Sequence, residues 1–345
     1  MRRRRTLAAM VGGLVLFGSA AAGAFPADVA GQAAAPDTLK IKYQRPSAIP
    51  FPGDNGYTKE RETLGRMLFF DPRLSSSNFI SCASCHNPAF SWGDGLPRGI
   101  GHGMKELGRR SPTILNAAWS DALFWDGRAR SLEDQALGPI KSPGEMNQDL
   151  EQLIYKLGSI PGYVGLFRVA YPGEGLTIPN VAKAIATFER TVVSGIAPFD
   201  QWIAGNENAI SAQAKWGFLV FNTKARCAVC HQGWNFTDGS FHDIGLPTTD
   251  LGRGQLLPKL VRMKHAFKTP TLRNVDRRGP YMHDGSVRTL ADVVDLYDTG
   301  GVPRESRSME IRRLGLTAEE KAALVAFMKT LTSADTPIVV PELPR

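Results

Sequence analysis

Cys82-Ala83-Ser84-Cys85-His86 returns 145 positions later as Cys227-Ala228-Val229-Cys230-His231, and the two copies use all four cysteines of the chain. C-x-x-C-H is the attachment signature of c-type haem. Two thiols add across the vinyl groups as thioethers, and the adjacent histidine reaches the iron as the proximal ligand. A pair of redox dithiols would need no following histidine, and a zinc site would want more ligands close by. The motifs therefore predict two covalent haems, held by Cys82, Cys85 and His86 and by Cys227, Cys230 and His231.

At 345 residues the chain is long enough for about two domains, which fits one motif in each. A hydrophobic content of 43% is that of a globular protein. Residues 1–24 read as a secretory signal: Arg2 to Arg5 are the positive n-region, Leu7 to Ala22 the apolar stretch, and Ala22-Gly23-Ala24 a small-x-small cleavage site. No other stretch approaches the length of a membrane span, so no membrane association is expected after cleavage. Covalent haem attachment in bacteria takes place outside the cytoplasm, so the signal and the motifs agree on the periplasm. The formal charge is +8, and removal of the four arginines leaves +4. That mild balance can steer an acidic redox partner. It argues against nucleic acid, since no Lys/Arg run survives cleavage.

Residues 25–50 are rich in Ala, Pro and Gly and are expected to be a flexible lead-in. An N-terminal domain is expected over 51–200 and a C-terminal domain over 201–345. Lys59 to Phe70 has helical periodicity, with Leu64, Met67 and Leu68 on one face, and Asp71-Pro72 stops it. Ile178 to Ser194 reads as a long helix closing the first domain, with Val181, Ile185, Phe188 and Val192 as its buried stripe. Ile196 to Asn208 then reads as the connection. The last helix starts at Thr317 with Glu320 three residues on, a capping box, and presents Leu324, Phe327, Met328 and Leu331. The surroundings of the motifs also repeat. Gly65-Arg66-Met67-Leu68-Phe69-Phe70 precedes the first and Gly217-Phe218-Leu219-Val220-Phe221 the second, and each motif is followed by two aromatic residues and an Asp-Gly pair. This is the mark of a duplicated cytochrome c unit. No alternating run supports a substantial sheet. The expected fold class is all-α, two cytochrome c-like haem-binding domains packed together.

Longer segments carry a family resemblance. They are Ser81-Cys82-Ala83-Ser84-Cys85-His86-Asn87-Pro88, Phe124-Trp125-Asp126-Gly127-Arg128-Ala129, Gly138-Pro139-Ile140-Lys141-Ser142-Pro143-Gly144-Glu145-Met146, Lys268-Thr269-Pro270-Thr271-Leu272-Arg273-Asn274-Val275 and Tyr281-Met282-His283-Asp284-Gly285. From about Thr63 to Thr332 the chain resembles the bacterial di-haem cytochrome c peroxidases and their MauG-type relatives. The resemblance implies that Glu145 is the distal acid–base group of the first haem. Gln135 and Pro139 would share that pocket. Trp125 would stand between the haems as an electron relay, or simply pack one domain on the other. His102, flanked by glycines, matches a histidine that caps the resting first iron in the peroxidases and is missing in MauG itself. At the second haem, the place of the peroxidases' methionine is taken by Tyr297, as in MauG-type proteins. Met263, Met282 and Met309 are rival ligands, and the residues alone do not choose among them. His242, His265 and His283 are expected to support the haems rather than ligate iron, and Arg273 and Arg288 to pair with propionates. The family also carries calcium between its domains. Here Arg110 stands at the asparagine ligand position, with the carbonyls of Arg278 and Pro280 still available, so calcium is left open.

The resulting expectation is a periplasmic di-haem c-type peroxidase that reduces hydrogen peroxide with electrons from a small cytochrome c or cupredoxin. A MauG-like oxidase modifying tryptophan or another residue of a partner protein is the alternative, favoured by Tyr297 as His102 favours the peroxidase. A non-catalytic di-haem electron carrier is the second alternative, though it would have no use for Glu145, Gln135 and Pro139. A homodimer is left open.

Overall fold

The computed structural model describes residues 36–334 and 338–345. The expected signal at 1–24 lies outside the described residues. Eight helices build the frame: α1 (Lys59–Phe70), α2 (Leu132–Lys141), α3 (Leu150–Gly158), α4 (Pro161–Ala170), α5 (Ile178–Thr191), α6 (Ala212–Asn222), α7 (Leu290–Thr299) and α8 (Ala318–Lys329). Short turns of 3-10 helix and loops connect them. Strands β1 (Phe241–His242) and β2 (Phe267–Lys268) form one antiparallel pair, with Phe241 opposite Lys268. The architecture is thus helical with little sheet.

The two halves repeat one packing device. In each, the helix leading into the motif crosses the helix that closes the half. The Thr58 hydroxyl accepts the Arg61 amide to start α1, and Asp71 ends it. A Cβ on Gly65 of α1 would lie 1.8 Å from the Ala184 carbonyl oxygen of α5. A Cβ on Gly217 of α6 would lie 1.9 Å from that of Ala323 in α8. Only glycine lets two helix backbones approach this closely, which explains why it opens both repeated segments. The stripe on α5 is buried as expected, with Val192 packed from the position just past the helix end. α8 begins with the Thr317–Glu320 capping box.

Two expectations fail. Residues 37–43 are not a flexible lead-in. Tyr43 is 2% exposed, its ring lies 5.1 Å from those of Phe218 and Phe236, and its hydroxyl donates to Asn222 Oδ1 at 2.6 Å. This segment belongs to the second core. Composition misleads there because one aromatic anchor is enough to order a short Ala/Pro/Gly-rich stretch. Ile196 to Asn208 is likewise more than a connection. It contains a helix, Pro198–Ile203, whose Phe199 and Trp202 are buried in the second core.

Candidate functional site

A continuous cavity of about 970 Å³ runs between the halves, and both C-x-x-C-H motifs line it. The first motif is one turn of helix, Cys82–Cys85, capped by Ser81. The second is a 3-10 turn, Cys227–Val229. His86 Nδ1 lies 3.3 Å from the Trp92 carbonyl and His231 Nδ1 lies 2.9 Å from the Phe236 carbonyl. A carbonyl only accepts, so the proton sits on Nδ1 and the Nε2 lone pair is free for iron. Burial holds both imidazoles below their ordinary pKa and so neutral, the form a metal requires. Burial also pushes the Cys85 thiol up to about 11 and the Cys227 thiol up to about 12. Protonated thiols in an apolar wall do not suit a redox dithiol, which depends on thiolate.

The wall opposite each motif is built twice from one plan. Ser131 caps α2 and Thr289 caps α7. Eight residues on from these caps stand Pro139 and Tyr297, and both line the cavity. The duplication therefore puts a side chain with no ligating atom at this position in the first half and a phenol at the matching position in the second. The Tyr297 hydroxyl makes no hydrogen bond among the described residues, and burial raises its pKa well above the ordinary value. Gln135 on α2 and Glu145, in the turn after it, line the same cavity, and the Glu145 charge reaches the Cys85 thiol. The Glu145 amide donates to the Ser142 carbonyl at 3.0 Å, which fixes the turn.

His102 is not brought to this cavity. Its amide donates to the Gly144 carbonyl at 3.0 Å, and its Nδ1 lies 3.5 Å from Ser76 Oγ in an exposed contact. Among the rival thioethers, Met309 is 92% exposed and Met263 lies off the cavity, while Met282 lines it. Met328 of α8 lines it too, a residue read from the sequence only as helix core.

Trp125 and His283 occupy matching places in two hairpin loops, closed by the bridges Leu123 to Ala129 and Tyr281 to Val287. Their rings meet edge to face, 6.4 Å apart. The Trp125 indole donates to the Arg110 carbonyl at 2.8 Å, while the Arg110 amide donates to the His283 carbonyl at 2.7 Å. His283 stacks on Phe267, and burial lowers its pKa to about 4, so it is neutral near pH 7. His265 Nδ1 lies 2.8 Å from the Asp250 carbonyl. His242 Nε2 lies 2.7 Å from Asp238 Oδ2, and that carboxylate, with the free Cys230 thiol, raises the imidazole to about 10. An imidazolium is no iron ligand.

The residues fit haem in a further respect, through their charges. Arg110, Arg278 and Lys268 line the cavity, and no carboxylate lies within ion-pair reach of them among the described residues. Burial lowers Lys268 to about 8 and Arg278 to about 9. The Nε atoms of Arg110 and Arg278 have no hydrogen-bond partner. Three enclosed cations without an anion are costly unless an anionic group enters with the ligand, and haem carries carboxylates. The two arginines proposed from sequence for this role are elsewhere. Arg273 is fully buried against Asp200 at 2.8 Å, and Arg288 is exposed. Arg110 also donates from Nη2 to the Arg278 carbonyl at 2.6 Å, one of the two carbonyls expected to face calcium.

Comparison with known proteins agrees with this geometry. A family model for di-haem cytochrome c peroxidase matches residues 59–208, and one for cytochrome c matches 214–332. The chain is 50% identical to the methylamine utilization protein MauG of Methylorubrum extorquens, covering 89% of this chain and 88% of that one. It is 35% identical to the cytochrome c551 peroxidase of Pseudomonas aeruginosa, covering 83% of each. A solved MauG-like protein associated with microbial copper homeostasis superposes with a TM-score of 0.78 at 30% identity, over 84% of this chain and 95% of that one. The halves are cytochrome c-type domains, and two c-type haems are the cofactors they imply. With its paired motifs and the cavity between them, the chain belongs to the di-haem cytochrome c peroxidase and MauG family of oxidoreductases.

Proposed function

We propose that this chain is a periplasmic enzyme of the MauG type, which uses hydrogen peroxide to oxidise a side chain of a partner protein. The observation that carries this reading is the pairing of Tyr297 at the cavity with His102 outside it. A phenolate donates charge and favours oxidised iron, whereas a thioether raises the potential. An uncapped first centre needs no reductive activation to admit peroxide. The relatives' name points to methylamine utilisation as the setting.

When bound, the haems supply the peroxide-binding iron and the redox chemistry. The chain's own residues do the rest. Pro139 leaves the space beside the first iron without a protein ligand. Glu145 moves a proton from one peroxide oxygen to the other, and Gln135 orients it. Peroxide takes up two electrons and two protons to give two waters, and the partner's side chain supplies the electrons. Trp125, which lines the cavity and is held by its hydrogen bond to Arg110, serves as the relay between the haems.

The test is to add peroxide to the fully ferric protein. Direct oxidation without added reductant is expected, and Tyr297→Met should abolish it while small ligands still bind the first haem. A need for prior reduction by ascorbate, together with the near-infrared band of methionine-ligated ferric haem in the unaltered protein, would overturn the reading. A conventional peroxidase fed by a small cytochrome c or cupredoxin would then be the better account.

A further inference from the structure

The duplication puts the two halves in register, and one buried position breaks the symmetry. The Gly65–Ala184 and Gly217–Ala323 contacts align α5 with α8. Five residues beyond Ala184 is Glu189, and five beyond Ala323 is Met328. Both are buried and both line the cavity. Glu189 therefore presents a carboxyl group where the second half presents a thioether. It is 4% exposed, its Oε2 is enclosed without a partner, and no hydrogen bond reaches the group among the described residues. The titratable groups whose fields reach it are few. Arg190, next to it on α5, is already paired with Glu133 of α2 at 2.7 Å, and Cys82 is the neighbour on the motif. An ionised carboxylate with no donor in an apolar wall is strongly disfavoured, so the group keeps its proton. Burial accordingly raises it to about 8.

We propose that Glu189 is the redox-linked proton site of the first-domain haem: once alkaline pH has ionised it, it binds a proton when that haem gains an electron and releases it when the electron leaves. The electron comes from the reductant and the proton from water through the cavity, so the enclosed pocket keeps its net charge. Met328 cannot do this, so the second haem serves as the internal control. The inference rests on His86 binding a haem, not on peroxide being the oxidant.

The experiment uses the holoprotein with both haems attached. In redox-difference infrared spectra the unaltered protein should show a protonated-carboxyl C=O band that is perturbed with the first haem. Glu189→Gln should lack it. The midpoint potential of the first haem should fall with pH above about 8 in the unaltered protein and stay flat there in the variant, while the second haem is unaffected in both. Absence of the carboxyl band in the unaltered protein, or an equal pH dependence in Glu189→Gln, would sink the proposal. Neither readout uses peroxide, so failure of the functional reading would leave this result standing.

Discussion

At the scale of single residues, Glu145 lines the cavity together with Cys85 and His86, where a carboxylate can carry a proton between two peroxide oxygens. The Cys and His of both motifs follow from the pentapeptides alone. Glu145 was visible only through the longer segment around it, since an isolated loop carboxylate is ordinarily solvated. Glu145→Gln should keep both haems and lower peroxide turnover by about two to four decades, the usual cost of losing a general acid–base. Turnover within a few-fold of the unaltered protein would remove Glu145 from the mechanism. Arg110 shows the opposite case. Its sequence position suggested only that calcium coordination was compromised. Its guanidinium in fact donates to the Arg278 carbonyl, one of the two oxygens that the resemblance would offer to calcium. Chelation should therefore leave the spectra and thermal stability of the unaltered protein unchanged. Arg110→Asn restores a neutral oxygen donor, and its stability should become calcium-dependent. Chelator sensitivity in the unaltered protein would refute this. Arg278 and Lys268 were missed because nothing in a sequence says that a cation is enclosed without an anion.

Helices were easier to read than connections, because apolar periodicity and caps are local signals. α1, α5 and α8 stand close to where periodicity placed them, and the Thr317 capping box is present. The crossing angles and contacts of these helices were not legible, although the repeated glycine held the clue. Gly65 is mid-helix, where alanine would ordinarily be favoured by about 1 kcal/mol. Here a methyl group would meet a carbonyl oxygen of α5 at 1.8 Å, and no rotamer change can relieve a clash at Cβ. Gly65→Ala should push the helices apart and destabilise the first domain by about 1–3 kcal/mol, overriding the propensity gain. Chemical denaturation followed through the first haem would measure it. An unchanged or raised midpoint would mean that the crossing is looser than its geometry implies.

On the scale of the whole molecule the halves are tied together reciprocally, which no local pattern announces. The N-terminal segment, with Leu39 and Tyr43, packs into the second core, whereas Ile338 near the C-terminus packs against the first. The hairpin tips cross over in the same way. A Cβ on Gly127 of the first half would lie 2.2 Å from the Phe241 ring, and one on Gly285 of the second would lie 2.3 Å from Cα of Pro97. Contacts between positions this far apart in sequence are set by tertiary packing. Composition therefore read the lead-in as loose, and the simple split into 51–200 and 201–345 missed both exchanges. The tail offers a direct test. Arg73 donates from Nη2 to the Pro344 carbonyl at 3.0 Å while pairing with buried Asp71, the Gly162 amide donates to the Arg345 carbonyl at 3.2 Å, and Arg66 donates to Val339. Three such hydrogen bonds contribute on the order of 2–3 kcal/mol in total, all of it to the first domain. Removing residues 338–345 should leave haem attachment intact and lower the melting temperature of the first domain selectively, splitting one calorimetric transition into two. The second haem's absorbance should report the later one. Loss of stability shared equally by both domains would show that the tail stabilises the pair as a single unit, and an unchanged profile would show that its contacts contribute little in solution.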